Sequence, residues 1–173
     1  CLALGGAALA SPAGDSISYV SDTVGLLSPD EQQELETTAA QLAERYGCGV
    51  YVIIVDDYTD YTNGSTRDFA KETYINYDLG VGEDKNGILL VLSISDRDYY
   101  LLTKGDIANA AFTDYGQEQL TQEFLDDFRY DNWFAGFRDY MSTAGQYLEA
   151  AENGEPVDVY GDSGEIDPAV STG

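Results

Sequence analysis

The clearest feature of the hydrophobic pattern is residues 88–94, an apolar run that lies between two polar turns. A run of this length with turn residues at both ends is typical of a strand buried on both faces. Polar residues 95–97 then lead directly into a second segment, which begins at Asp98. This short separation predicts an antiparallel hairpin. Another apolar run, residues 50–55, predicts a separate strand earlier in the chain.

Four other segments carry apolar residues at every third or fourth position, which is the spacing of an amphipathic helix. The first begins after Ser28, where Pro29 and Glu31 complete a capping box, and it ends at Gly47. The other three helices are predicted to begin near Ser65, Asp114 and Asn132.

The order of these elements predicts the fold class. The chain runs helix, strand, helix, strand, strand, helix, helix, and residues 106–113 are predicted to be an irregular link. A strand–helix–strand unit makes a parallel pair of strands, and the hairpin adds an antiparallel strand. We therefore expect an α/β fold, a three-layer α/β/α sandwich around a small mixed sheet.

The composition divides the chain into one domain, residues 18–151, and two flanking segments. Residues 1–17 begin with small apolar residues that end in Ala8-Leu9-Ala10, typical of the remnant of a secretory signal peptide followed by a linker. Lipidation of Cys1 is the alternative interpretation. Residues 152–173 are rich in Gly, Pro, Asp and Ser, which predicts a flexible acidic linker or tail. We expect an extracytoplasmic protein.

The charge of the chain restricts its partners. It has 32 acidic and 8 basic residues, a formal net charge of -24. Such a protein repels nucleic acids and anionic lipids, so we expect no nucleic-acid partner and no membrane contact except through an anchor outside these residues. There is no histidine, which removes the usual general base near neutral pH. Cys48 is predicted to be a buried free thiol.

The predicted topology sorts the acidic loops into two groups. One group, at the end of the first predicted strand, consists of Asp22, Asp56, Asp57, Asp60 and Asp96. The group at the opposite end consists of Glu83, Asp84, Asn86, Asp106 and Asp114. Because calcium prefers carboxylate and carbonyl oxygens, each group is a candidate for binding calcium or another divalent cation, and we expect no organic cofactor. The alternative is that these are ordinary turn and cap residues, with Asp114 as a helix cap.

Several segments, taken together and in order, resemble the TPM domain family. The matching segments are residues 20–28 (VSDTVGLLS), residues 49–55, residues 80–90 (GVGEDKNGILL), Arg97, residues 111–114 (AFTD) and the Phe-rich residues 131–137. The resemblance covers residues 18–151 and is greatest to exported bacterial versions of the domain.

The resemblance implies an α/β/α sandwich, divalent-cation binding as in some members, and acid phosphatase activity as in plant members. Other members resemble assembly or repair factors for membrane complexes. The acidic positions of the family correspond to Asp84 and Asp114, with Asp22 as a weaker match. The resemblance therefore implies that the second group, Glu83, Asp84, Asn86, Asp106 and Asp114, binds the cation. The chain differs after the third predicted strand, where the family often has a Gly-x-Gly segment and this sequence has Gly105-Asp106.

Three functions are compatible with these features. The first is an exported binding or assembly module, supported by calcium and tethered to the cell surface of a bacterium by a segment beyond these residues, with a cell-envelope protein as partner. The second is a metal-assisted acid phosphatase that acts on phosphomonoesters. The third is a structural spacer domain without a site.

Overall fold

A computed structural model describes residues 18–157 of the protein. A four-stranded sheet lies at its centre, in the order β1 (Val20–Asp22), β2 (Gly49–Val55), β3 (Gly87–Ser93) and β4 (Asp98–Lys104). The first three strands are parallel, and β4 is antiparallel to β3. The predicted mixed sheet and hairpin are confirmed. The sequence pattern missed β1 because three residues are too few to show a periodicity.

Within residues 18–157, five α-helices lie against the sheet: α1 (Pro29–Tyr46), α2 (Thr66–Asn76), α3 (Asp106–Ala111), α4 (Asp114–Arg129) and α5 (Trp133–Glu152). A short 3-10 turn occupies Tyr58–Asp60. The capping box at the start of α1 is present, and Gly47 ends this helix in the left-handed conformation with φ +66°. The four predicted helices are therefore confirmed.

The prediction that residues 106–113 form an irregular link is wrong, because α3 occupies most of this segment. Its first turn is stabilised by a distant residue: the side-chain Oδ1 of Asn86 accepts a 2.8 Å hydrogen bond from the backbone N–H of Ile107. The opposite side of α3 packs into the core through Ala108 and Ala111, which are both buried. Because this hydrogen-bond acceptor lies 21 residues earlier in the chain, the residues around α3 carry no local sequence signal for the start of the helix.

The helices lie on both faces of the sheet, so the three-layer α/β/α sandwich is confirmed. The larger core lies between one face of the sheet and helices α1, α3, α4 and α5. Its buried sheet residues include Val20, Val50, Val52, Ile54, Ile88, Leu90 and Leu92. The smaller core lies under α2 alone; its sheet residues are Tyr51, Ile53, Val55, Leu89 and Val91. The alternation of side chains along β2 and β3 produces this division.

The two crossover connections run over opposite faces of the sheet. The chain moves from β1 to β2 through α1 on one face and from β2 to β3 through α2 on the other. Both steps go in the same direction across the sheet, so the two crossovers have opposite hands. The loops that follow β1 and β2 therefore leave towards opposite faces of the sheet, and open α/β sheets usually bind ligands in the crevice between two such loops.

The signal-peptide remnant and linker predicted for residues 1–17, including Cys1, lie outside the described residues. The part of the predicted tail from residue 158 onward also lies outside the described residues. The start of the tail contacts the domain, because the Thr113 hydroxyl donates a 2.7 Å hydrogen bond to the Val157 carbonyl oxygen. Within residues 18–157, no helix combines the length and apolar character needed to cross a bilayer.

Candidate functional sites at the two ends of the sheet

The predicted cation ligands lie at the end of the sheet where β2 and β3 begin and β4 ends. Glu83 and Asp84 are exposed on the turn before β3, and Asp106 is exposed at the start of α3. Asn86 is buried at 5% exposure between them. The structure thus brings Asn86 into contact with the first turn of α3, next to Asp106.

Buried tyrosines hold the turn that carries Glu83 and Asp84. The Tyr74 hydroxyl donates a 2.8 Å hydrogen bond to the Lys85 carbonyl oxygen, and the Tyr51 hydroxyl accepts one of 2.9 Å from the backbone N–H of Gly80. Lys85 has φ +52°, and its ammonium group forms a 2.8 Å ion pair with Asp78. The hydroxyl groups of Tyr51 and Tyr74 therefore hold the backbone of the turn that carries the two carboxylates.

Asp114 is carried by the next helix along the chain. It is the first residue of α4, and the residue that caps α4 is Thr113, whose hydroxyl accepts a 3.1 Å hydrogen bond from the backbone N–H of Gly116. The alternative role of Asp114 as the helix cap is thus wrong. Within residues 18–157, no three His, Cys, Asp or Glu side chains lie close enough together to hold a metal ion. Calcium also takes backbone carbonyl and water oxygens as ligands.

At the opposite end of the sheet, the carboxylate of Asp22 organises the loop between β1 and α1. It accepts hydrogen bonds from three backbone N–H groups, those of Val24, Gly25 and Leu27, at 3.1, 2.9 and 2.8 Å. Both of its oxygen atoms are engaged, so Asp22 shapes the crevice wall.

The loop that follows β2 forms the other wall of the crevice. The carboxylate of Asp57 accepts hydrogen bonds from the backbone N–H and the hydroxyl of Thr59, and these bonds hold the pKa of Asp57 below its usual value. Asp56 is exposed beside it. The acidic loops of the first predicted group thus lie at one end of the sheet, as the topology indicated.

Two polar contacts at this end were not predicted from the sequence. The Thr66 hydroxyl is hydrogen-bonded to the carboxylate of Asp98, and the hydroxyl of buried Ser93 accepts a 3.1 Å bond from the backbone N–H of Tyr58. Ser93 had a visible signal, since it is the one hydroxyl within the apolar run of residues 88–94. Asp98 gave no such sequence signal, because aspartate is a common residue at the edge of a turn.

The β3–β4 turn contains Arg97, which lies in the predicted hairpin and is one of the residues that resemble the TPM domain family. Its φ is +52°, and its guanidinium group crosses to the junction of α4 and α5, where it contacts Phe128, Asp131 and Trp133. A cavity of about 160 Å³ lies beside this guanidinium group.

A second concave surface, which we call the α1/α3/α5 groove, lies near the predicted cation ligands. It has a volume of about 400 Å³; its apolar floor consists of Tyr46, Ile107, Ala110, Leu148 and Ala151, and Asp106 and Glu152 form its acidic rim. The predicted ligand Asp106 is thus also a groove residue.

Cys48 is a free, buried thiol, as predicted. Burial raises the pKa of Cys48 to about 12, so the group is protonated at neutral pH and is a poor nucleophile. No sulfur chemistry is therefore assigned to this residue.

The architecture defines a class of small α/β/α sandwich domains with acidic loops at both ends of a mixed sheet. The TPM domain matches residues 20–147, which is more than half of the chain, and the protein belongs to this family. The predicted family is confirmed. A comparison with curated proteins finds no match.

Solved structures share this fold at low sequence identity. The N-terminal domain of a protein from P. gingivalis is 19% identical with a TM-score of 0.66, covering 80% of this chain and 86% of that one. The BA42 protein from Bizionia argentinensis is 17% identical with a TM-score of 0.60, covering 72% and 83%. The N-terminal domain of the cg2496 protein from Corynebacterium glutamicum is 11% identical with a TM-score of 0.55, covering 79% and 82%. At these identities the likeness supports the fold alone.

Proposed function

We propose that the protein is a binding or assembly module on the outer side of a bacterial cell membrane, tethered by a segment beyond these residues. The α1/α3/α5 groove is the observation that carries this proposal. Its volume of about 400 Å³ falls within the range of ligand sites, and its apolar floor with an acidic rim is a common arrangement for such sites.

The groove presents side chains that favour a protein partner with an apolar and basic segment. Ile107 is 41% exposed although it is a large aliphatic residue. Glu152 is held at the rim by an ion pair of 2.9 Å with Arg45. An apolar segment would cover Ile107 and Ala110, and basic residues beside it would meet the negative potential of a chain with a net charge of -24.

Site-specific photo-crosslinking in intact cells tests the groove. A photoreactive residue at position 107 should give a discrete crosslinked product, whereas one at position 75, where Ile75 is 68% exposed on α2 across the sheet, should not. Ala110→Arg, which fills the groove with a charged side chain, should remove the product at position 107. Equal labelling from positions 107 and 75 would contradict the proposal.

We further propose that calcium supports this end of the domain, with Asp84 and Asp114 as the principal ligands and Asp106, Glu83 and Asn86 as further ligands. The position of Asp106 on the groove rim supports a link between ion and partner binding. Calcium titration followed by amide NMR should shift the resonances of residues 83–86, 106 and 114. The Asp84→Asn/Asp114→Asn double variant should lose these shifts, and Asp96→Asn, at the other end of the sheet, should keep them. No shift at millimolar calcium would end the metal proposal.

A metal-assisted acid phosphatase is the second candidate. The loops after β1 and β2 favour it, because they leave towards opposite faces of the sheet at the carboxyl ends of these strands, where open α/β sheets usually bind ligands. A cation bound there would polarise a phosphoryl group. Purified protein should then hydrolyse an aryl phosphate when calcium, magnesium or manganese is added. Activity that is lost in Asp56→Asn would place the reaction in the crevice, and loss in Asp84→Asn would place it at the opposite end. Activity unchanged in both variants would indicate a contaminant.

A further inference from the structure

The cavity beside Arg97 has the size and lining of a site for one aromatic ring. It lies between the β3–β4 turn and the junction of α4 and α5, and its volume is about 160 Å³. Leu92, Leu125, Phe128 and Trp133 form its apolar walls. An engineered apolar cavity of about 150 Å³ in another protein binds benzene. This cavity therefore has room for a six-membered ring.

Arg97 stands at the cavity in a fixed orientation. Its Nη2 donates hydrogen bonds to the Phe128 carbonyl oxygen at 3.1 Å and to the Asp131 carboxylate at 2.8 Å. The guanidinium carbon lies 5.4 Å from the centroid of the Trp133 ring. Both bonds use Nη2, so the N–H donors on Nε and Nη1 have no hydrogen-bond acceptor within the described part of the chain.

Arg129 lines the same cavity and is held by fewer contacts than Arg97. Its only ion pair within residues 18–157 is with Asp126, three residues earlier on α4, at 2.7 Å, and its side chain is 69% exposed. An exposed pair of this kind contributes little to stability, so the guanidinium group is free to turn towards a ligand. Two of the chain's eight basic residues thus meet at one apolar cavity of a strongly anionic protein.

We propose that this cavity binds a carboxylate attached to a flat apolar group, as in an aryl carboxylate or the C-terminus of a peptide that ends in Phe. The ring occupies the apolar cavity beside Trp133. The carboxylate accepts one hydrogen bond from Arg97 Nη1 and others from Arg129, whose planar guanidinium group suits a carboxylate. The nearby carboxylates of Asp131 and Asp126 offset part of the positive charge, so binding is weak. This site is independent of the groove and of calcium, which lie at the other end of the sheet.

Benzoate titrated into ¹⁵N-labelled protein tests the proposal, because Trp133 is the single tryptophan and its indole N–H resonance reports on the cavity wall. We expect saturable shifts at this resonance and at residues 93–97. Benzamide, which has the same ring without the charge, should bind about tenfold more weakly since it loses the charge-assisted hydrogen bonds. Equal binding of benzoate and benzamide, or no saturable shift of the Trp133 indole, would overturn the proposal.

Matched arginine variants locate the charge that is responsible. Arg129→Gln should weaken benzoate binding about tenfold and leave benzamide unchanged. Arg67→Gln, at an exposed arginine on α2, should change neither. If Arg67→Gln weakens benzoate binding as much as Arg129→Gln does, the effect is general electrostatics and the proposal fails.

The tripeptide Gly-Gly-Phe, with a free or an amidated C-terminus, distinguishes the two sources of the carboxylate. If only the free acid competes with benzoate, the ligand is the C-terminus of a peptide. If neither form competes, the ligand is a small aryl carboxylate.

Discussion

Asn86 shows how one side chain can connect two elements that are distant in sequence. It is buried, and its Oδ1 is the acceptor for the Ile107 N–H at the start of α3. Its backbone also pairs with Val81 through bonds of 2.9 Å in both directions, which close the turn that carries Glu83 and Asp84. Asn86 therefore links the turn before β3 with α3 whether or not a cation binds there.

We predict that Asn86→Ala lowers the free energy of unfolding by about 1–3 kcal/mol, because the Ile107 N–H loses the acceptor that the buried Asn86 side chain provides. Asn86→Asp keeps the acceptor oxygen but buries a charge and loses the Nδ2–H donor to the Val81 carbonyl oxygen, so it should also destabilise the protein at neutral pH. Urea denaturation measures both, with exposed Asn63→Ala as the control. A cost for Asn86→Ala no larger than that for Asn63→Ala would show that the hydrogen bond does not hold α3.

The second residue-scale feature is a pair of carboxyl groups between α4 and α5. Partial burial and the neighbouring Asp127 carboxyl, with a smaller effect from Glu123, raise the pKa of Asp139, and Arg138 opposes this. The folded protein therefore holds the Asp139 proton more tightly than the unfolded chain does. This contribution favours folding at low pH and is lost as the pH rises through the folded-state pKa.

Asp139→Asn should consequently raise the melting temperature at pH 7, where the two carboxylates repel each other. The gain should shrink as the pH falls below the ordinary aspartate value, because the wild-type pair then carries less charge. Thermal melts between pH 3 and pH 8 measure the effect, and Asp126→Asn is the control because Asp126 instead pairs with Arg129. A gain that is independent of pH would argue against charge repulsion.

At the scale of elements, two glycines in α5 have different surroundings. A Cβ atom at Gly136 would overlap the ring of Phe128, with Cδ1 only 2.6 Å away. That ring is confined because it also packs on Phe124, Trp133 and Phe137. At Gly145 the nearest atom is the terminal Cδ2 of Leu42 at 3.0 Å, on a half-buried side chain that can move.

Gly136→Ala should therefore destabilise the protein by about 1–3 kcal/mol through overpacking between α4 and α5, in spite of the higher helix propensity of alanine. Gly145→Ala should be neutral or stabilising by up to about 1 kcal/mol, because the helix propensity gain meets little steric resistance. Chemical denaturation of the two variants compares them directly. Equal effects would show that packing against Phe128 is not what requires glycine at position 136.

The elements that could be predicted from the sequence are those whose signals are local. The helices α1, α2, α4 and α5 have amphipathic periodicity or clear caps, and β3 has a long apolar run. The helix α3 and the strand β1 depend instead on partners elsewhere in the chain, Asn86 for the helix and β2 for the strand. A local pattern contains no information about these partners, so neither element was predicted.

The same distinction applies to the candidate sites. The order of strands was enough to sort the acidic loops between the two ends of the sheet, because strand direction fixes which loops meet. The engagement of each carboxylate was not predictable, since Asp22 and Asp57 bind backbone groups only when their loops have folded. The cavity beside Arg97 brings together residues from the hairpin and from two helices, which no single motif describes.

At the scale of the whole molecule, the dominant property is the net charge of -24. Among residues 18–157, the ion pairs join four basic side chains to carboxylates, all at exposed or partly exposed positions. Such pairs leave most of the negative charge uncompensated. Mutual repulsion of the remaining carboxylates should therefore oppose the compact state at neutral pH.

The melting temperature at pH 7 should consequently rise when NaCl is raised from about 10 mM to 1 M, because the Debye length falls from about 30 Å to about 3 Å and the repulsion is screened. At pH 4.1, the isoelectric point of the sequence, the same salt series should have little effect since the net charge is near zero. Salt dependence of equal size at both pH values would mean that burial of apolar surface, which salt also strengthens, is the cause.

Calcium compared with NaCl at equal ionic strength tests for a specific ion effect. A rise in melting temperature with calcium beyond that with NaCl cannot be screening, and it should disappear in the Asp84→Asn/Asp114→Asn variant.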